Sequence, residues 1–215
     1  EGGAEREGGG RGEEGKSALH VVCKIADLGN GCWTHKHFTD DVTTRQYRSP
    51  EVLVGFKYGP AIDVWSTACM IFELITGDFL FDPKEDTKRR HSRDEDHLAL
   101  IIELVGNLPK VLTSKGKYSR GLFDRSGRLR RISDMDAWGL RSVFLEKYHL
   151  PVQEADTLSS FLLPMLDPHP DRRATAAQAL QHPWMKEIDE DYVLTPEDMQ
   201  RHHSTRRRRE EEEEE

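Results

Sequence analysis

Apolar positions along this 215-residue chain are concentrated between two polar ends, and their spacing changes character along the way. Leu19 to Ala26 is short, apolar and rich in β-branched residues, which predicts a β-strand. From about residue 60 onward the period becomes helical. Residues 60 to 77 predict a helix: Pro60 stands near its start, Val64 to Ile75 is apolar on nearly every side, and Gly77 supplies a stop. A helix apolar all round is predicted to be buried and central. Asp96 to Val105 predicts an amphipathic helix, with Leu98, Ile101, Ile102 and Val105 on one stripe and Asp96 and Glu103 paired on an outward face. Thr175 followed three residues later by Gln178 has the spacing of a capping box, opening a helix through Ala176, Ala177, Ala179 and Leu180 that stops before Pro183. The body is therefore mainly α, with α+β character overall.

The ends have a different composition. Residues 1–18 are Glu, Gly and Arg with almost nothing apolar, so burial cannot offset the entropy of ordering them, and disorder is expected. Residues 191–215 form a charged tail in which Arg206 to Arg209 run into Glu210 to Glu215. The folded unit is expected at 19–190. A net charge of -8 argues against a general nucleic-acid surface, which needs a basic excess or stripe. The longest apolar stretch, Met70 to Ile75, is broken by Glu73 and is far too short to cross a bilayer, and no cleavable signal pattern opens the chain. A soluble intracellular protein is the expectation. The 3 cysteines, Cys23, Cys32 and Cys69, match no zinc spacing and are expected to be reduced.

The candidate chemistry begins at Asp27-Leu28-Gly29, where a carboxylate follows the predicted strand beside a glycine that permits a sharp turn. A hard oxygen ligand there suits Mg²⁺ bridging nucleotide phosphates, although Asp-x-Gly alone is ordinary turn chemistry. Its context is more specific. Gln46-Tyr47-Arg48-Ser49-Pro50-Glu51 comes next, then Asp63-Val64-Trp65-Ser66, then Asp167-Pro168 with Arg173, and finally His182-Pro183-Trp184. This ordered series resembles the second half of a protein kinase catalytic domain. Leucine at Leu28, the run Thr44 to Ser49, Trp65 to Met70 with Gly77 to Phe81, Arg93 to His97 and Gly116 to Ser119 narrow the resemblance to SR-protein kinases, of the CMGC group, over about residues 20 to 186.

The resemblance implies a kinase C-lobe from the magnesium-binding strand onward, without the N-lobe and catalytic loop. Asp27 matches the magnesium and cofactor-binding aspartate, with ATP and Mg²⁺ as cofactors. Leu28, Gly29, Arg48, Ser49, Pro50 and Glu51 belong to the activation segment, and Asp63, Glu51 and Arg173 are structural, the last two as a buried ion pair. For substrate binding, Asp96, Glu103 and Lys147 match an acidic docking groove, and Arg45, Arg48 and Arg93 match a basic pocket. Serines in Arg-Ser-rich splicing factors are the implied substrates, in cytoplasm and nucleus, with the full-length kinase monomeric and no direct nucleic-acid or membrane partner. Simpler readings stand beside these. Asp96 and Glu103 can be a solvated helix face, and Arg45 and Arg48 can pair locally with Asp40 or Asp41.

Three further matches are set aside. Gly10 to Gly15 fits G-x-G-x-x-G literally, but no strand precedes it and two glutamates sit where phosphate would bind. His91-Ser92-Arg93-Asp94 follows the activation segment, and Ala99 stands where a metal-binding asparagine is needed. His35-Lys36-His37 has no third ligand cluster. The base aspartate and its asparagine are expected upstream of these residues, so the open readings are part of an SR-protein-type serine/threonine kinase, a catalytically inert module docking basic Arg-Ser peptides, and, against the acidic groove residues, a kinase of a neighbouring class with proline-directed or other specificity.

Overall fold

The computed structural model describes residues 24–85 and 91–186. Leu19 to Cys23, the expected disordered segment 1–18 and the tail 191–215 lie outside the described residues. Among the described residues the fold is helical and contains no β-sheet; only isolated bridges join Trp33 to Lys36 and Phe123 to Leu129. Among the described residues Lys24, Ile25 and Ala26 have no ladder partner, and Ile25 is 90% exposed. An unpaired strand leaves its backbone groups to water, so the apolar pattern of these residues does not by itself produce one.

In chain order the helices are α1 (Pro50–Leu53), α2 (Ala61–Thr76), α3 (Arg93–Val105), α4 (Lys110–Lys115), α5 (Ser119–Leu122), α6 (Leu140–Ser142), α7 (Val152–Met165), α8 (Ala176–Ala179) and α9 (Pro183–Lys186). Short 3₁₀ turns cover Leu28–Asn30 and Arg45–Tyr47, and a single π-helical turn, Val143–Lys147, continues α6. α2 starts after Pro60 and ends at Gly77, whose N–H still bonds the Glu73 carbonyl at 2.8 Å and whose left-handed φ of 79° turns the chain out of the helix. α3 is capped by Ser92, whose hydroxyl accepts the Glu95 N–H, and Asp94, Glu95 and Asp96 complement the dipole of its first turn. At α8 both halves of the capping box form between Thr175 and Gln178.

The core lies where α2, α3, α7 and the π turn meet. Trp65 stacks on Phe81 with centroids 5.8 Å apart, and Phe72 packs against Phe144 at 5.5 Å and Tyr148 at 5.7 Å. Leu98 and Ile101 from α3 and Leu162 from α7 are fully buried around them. Each such side chain contributes roughly 1.5–3 kcal/mol by leaving water.

α2 is not buried on every side. Ile62, Trp65, Ala68, Cys69 and Phe72 form its inner stripe, whereas Met70 and Ile75 are exposed and Leu74 is 77% exposed. The all-round apolar sequence therefore overstates its burial, because no described element lies against the outer stripe.

Candidate activation-segment and substrate site

Ser49, in extended backbone, leads into α1, and Pro50 begins the helix with its φ already set. This turn directs Glu51 inward. Arg173, which follows Asp167-Pro168, meets it with two parallel bonds: Nη1 donates to Oε1 at 2.7 Å and Nη2 to Oε2 at 2.8 Å. Both side chains are 0% exposed. Arg173 also donates from Nε to the Asp167 carbonyl and from Nη1 to the Ala61 carbonyl, and its guanidinium lies 5.0 Å from the Trp65 ring. One arginine thus ties α1, the start of α2 and the segment after α7 together. The planar fork is what permits four directed bonds from one side chain.

Upstream of α1, the 3₁₀ turn Arg45–Tyr47 is fastened to α2. Tyr47 donates its hydroxyl to Glu73 at 2.6 Å, and Ser66 donates to the Tyr47 carbonyl at 2.9 Å. The bond to a carboxylate, then burial, raises the Tyr47 pKa to about 12. Earlier in the segment, His37 stacks on Tyr58 at 4.0 Å, Tyr58 donates to the Thr39 carbonyl, and Lys117 pairs with Asp40 at 3.3 Å.

Arg45, Arg48 and Arg93 come together around His97 of α3. Arg45 pairs with Asp94, Arg48 pairs with Asp41 at 2.8 Å and donates to the Thr43 carbonyl, and Arg93 donates from Nε to the Pro83 carbonyl. His97 is 0% exposed and packs its ring 5.5 Å from Phe81. Burial first, then the charges of the three arginines, lower its pKa from 6.5 to about 3, so the ring is neutral at physiological pH. Among the described residues, neither His97 ring nitrogen nor Arg48 Nε has a hydrogen-bond partner, although all three are buried. Three arginines, two of them already paired with carboxylates, and two unsatisfied donors, Arg48 Nε–H and the one N–H of the neutral His97 ring, form an environment suited to an anion.

The acidic face of α3 is partly engaged. Asp96 Oδ2 accepts the Lys84 N–H at 2.8 Å and Glu103 Oε1 accepts the Asp136 N–H at 3.2 Å. Lys147 pairs with Asp78 at 3.1 Å, and Tyr148 donates to the same carboxylate at 2.8 Å. The tyrosine bond first, then the lysine, hold the Asp78 carboxyl below its usual range. No direct contact joins Asp96, Glu103 and Lys147 among the described residues; each carries its own partner.

Asp27 is exposed and adopts a left-handed backbone (φ 55°), with Leu28 and Gly29 exposed beside it. Mg²⁺ at nucleotide sites is held by one or two carboxylates together with phosphate oxygens and water. Asp27 fits one such ligand. No cluster of three or more metal-ligating side chains occurs among the described residues. Asp63, in the first turn of α2, is exposed and partial burial raises its pKa.

Three participants lie within the runs that carry the resemblance, with no individual role assigned from sequence. Glu95 is fully buried and accepts from the Arg131 N–H and Nη1, both at 2.9 Å, securing the chain after α5 to α3. His97 reads in the sequence as part of a polar run, and Asp78 as a residue after a helix stop. Only the fold brings Asp78 to Lys147, 69 residues away. A signal for Glu95 exists in retrospect: on the helix it lies three before Leu98, on the inward stripe.

The sequence profile of the protein kinase domain matches residues 14–185. SRSF protein kinase 3 of Mus musculus is 54% identical over 172 residues, covering 80% of this chain and 30% of that protein. Serine/threonine-protein kinase SRPK of Physarum polycephalum is 53% identical over 168 residues, 78% of this chain and 39% of that protein. Serine/threonine-protein kinase SKY1 of Saccharomyces cerevisiae is 52% identical over 167 residues, 78% of this chain and 22% of that protein. The chain thus spans well under half the length of each of these relatives.

Proposed function

The chain belongs to the protein kinase domain family, as part of an SR-protein-kinase-type serine/threonine kinase domain, and from that premise we propose that it supplies the activation segment and substrate-docking surface of an enzyme that phosphorylates serines in Arg-Ser-rich splicing factors. The observation that carries this reading is the anion-ready cluster of Arg45, Arg48 and Arg93 around His97. A phosphoserine brings about 1.5–2 negative charges and three acceptor oxygens to such a cluster. Asp96 and Glu103 take arginines of the same extended peptide through charge-assisted bonds. The cofactors are ATP and Mg²⁺; ATP supplies the phosphoryl group when bound, and Asp27 is the residue here that fits a metal ligand. The Glu51–Arg173 pair holds the activation segment in register with the peptide surface.

A second reading is favoured by the isolation of Asp27: alone, these 215 residues dock basic Arg-Ser peptides without transferring phosphate. Both readings are tested by measuring phosphate transfer from labelled ATP to an Arg-Ser repeat peptide. The 215-residue chain is compared with the same chain inside a longer polypeptide carrying the remaining kinase elements, and peptide binding is followed in parallel. Transfer by the longer polypeptide alone, with binding by both, is the expected result. A longer polypeptide that neither transfers phosphate nor prefers Arg-Ser peptide would refute the kinase reading.

A further inference from the structure

A cavity of about 630 Å³ lies between α4, α5 and the turn that follows α5, and none of its lining residues belongs to the Glu51–Arg173 clamp or the arginine cluster. Its charge is unusual for this protein. Lys110, Arg120, Arg125, Arg128 and Arg130 line it against a single acid, Asp124, which makes five positive charges less one negative, or +4, in a chain whose net charge is -8. None of the five cations is ion-paired among the described residues. Asp124 is committed to the turn itself: its Oδ1 accepts the Ser126 N–H at 2.8 Å, the Ser126 hydroxyl at 2.7 Å and the Arg128 N–H at 3.0 Å.

The turn that carries the arginines is built from fixed backbone. Asp124 donates its N–H to the Arg128 carbonyl at 2.8 Å, Arg130 donates to the Leu122 carbonyl at 2.9 Å, and Phe123 bridges to Leu129. Phe123 and Leu129 are buried, which anchors both sides of the turn in the core. With Leu129 facing inward, the alternation of an extended segment sets Arg128 and Arg130 on the opposite side together. Arg130 is steered further by its Nε, which donates to the Arg120 carbonyl at 3.0 Å. Apolar surface is present too, from Leu108 and Phe123.

Like charges held around one cavity repel unless an anion lies among them, and guanidinium forks match phosphate oxygens in pairs. The volume falls within the range of roughly 300–1,000 Å³ typical of small-ligand sites. Each phosphate monoester carries about 1.5–2 negative charges, so two are needed to balance the cavity. We propose that this cavity is a binding site for a compact ligand bearing two or more phosphate groups. The site is separate from the peptide surface and does not depend on the function proposed above.

The test is calorimetric titration of inorganic tripolyphosphate into the 215-residue chain at physiological salt. Saturable binding is expected, and the part that belongs to this cavity is the part lost on substituting its arginines. The paired Arg125→Ala and Arg128→Ala substitutions, both at exposed positions, weaken it about tenfold or more while leaving the thermal melt in place. Lys36→Ala with Lys57→Ala removes the same charge at exposed positions that do not line the cavity and leaves affinity unchanged. The proposal is overturned by absence of saturable binding or by an equal loss in the Lys36/Lys57 pair. Tighter binding of a multiply phosphorylated peptide or of single-stranded RNA than of tripolyphosphate overturns it as well, since either places the recognition outside a small-ligand site.

Discussion

Replacing Arg173 with alanine tests the clamp most directly. Glu51 and Arg173 are both 0% exposed and joined by bonds of 2.7 and 2.8 Å, so truncation leaves a carboxylate in the interior with no counter-charge. Breaking one partner of a buried pair costs about 3–5 kcal/mol. The carbonyls of Asp167 and Ala61 lose their donor in the same step. For a domain of this size each kcal/mol moves the melting temperature by about 2–4 °C, so Arg173→Ala is expected to melt roughly 10–15 °C lower. Glu51→Gln strands the arginine instead and costs a similar amount. The double variant Glu51→Leu with Arg173→Met removes both charges together and falls well short of the sum of the two single losses, because no ion is left unpaired. Urea unfolding followed by tryptophan fluorescence measures all three, with Trp65 stacked 5.0 Å from the guanidinium as a local reporter. A loss below about 1 kcal/mol in Arg173→Ala, or strict additivity in the double variant, would show that the pair does not act as a buried unit.

Three further outcomes are expected. His97 has its pKa lowered from 6.5 to about 3, so its contribution is complete above pH 6.5 and is lost as pH falls toward 3. From pH 7 to pH 5 this amounts to about 2 kcal/mol, read as a shift in urea midpoint; an equal slope in His97→Leu would sink the assignment. Gly116→Ala places a methyl 2.3 Å from the Val54 carbonyl oxygen and 2.6 Å from Ser119 Oγ, so about 1–3 kcal/mol of stability is lost, and a thermal melt matching the parent would refute the close approach. Asp96→Asn with Glu103→Gln keeps the acceptor oxygens that hold the Lys84 and Asp136 N–H groups while removing two charges. Its melt stays within a few degrees of the parent and its affinity for an Arg-Ser peptide, followed by fluorescence polarisation, drops about tenfold.

What could be read in advance divides along the range of the interaction involved. Pro60 with Gly77, Thr175 with Gln178 and the stripe of Leu98 and Ile101 are local arrangements in which a few neighbouring positions set the geometry, and each appears where its spacing predicts. Of the Leu19 to Ala26 strand only Lys24 to Ala26 lies within the described residues, where it has no ladder partner: an apolar pattern expresses readiness to pair, and a strand exists only when another supplies the ladder. The outer stripe of α2 shows the same limit, since Met70 and Leu74 are apolar in composition and exposed in place.

The site residues carry this reasoning further. Arg45, Arg48 and Arg93 are named by resemblance, yet what they gather around is His97, which the sequence offers only as the end of the Arg93 to His97 run and gives no role. A neutral ring at the centre separates three cations without adding a fourth, and the fold keeps it neutral by enclosing it against Phe81. Protonating that ring would add positive charge to the cluster and at the same time work against burial, so the cluster's affinity for an anion and the stability of α3 respond to pH in opposite directions. Because the ring's pKa is about 3, it is neutral at both pH 7.5 and pH 5.5, and the opposition appears only as pH approaches 3: affinity for a sulfate-ester peptide, whose own charge does not titrate, is expected to be equal at pH 7.5 and 5.5 while the melting temperature is lower at pH 5.5. The same histidine that makes the arginine cluster tolerable near neutral pH is therefore the group that limits how acidic a medium the site can work in.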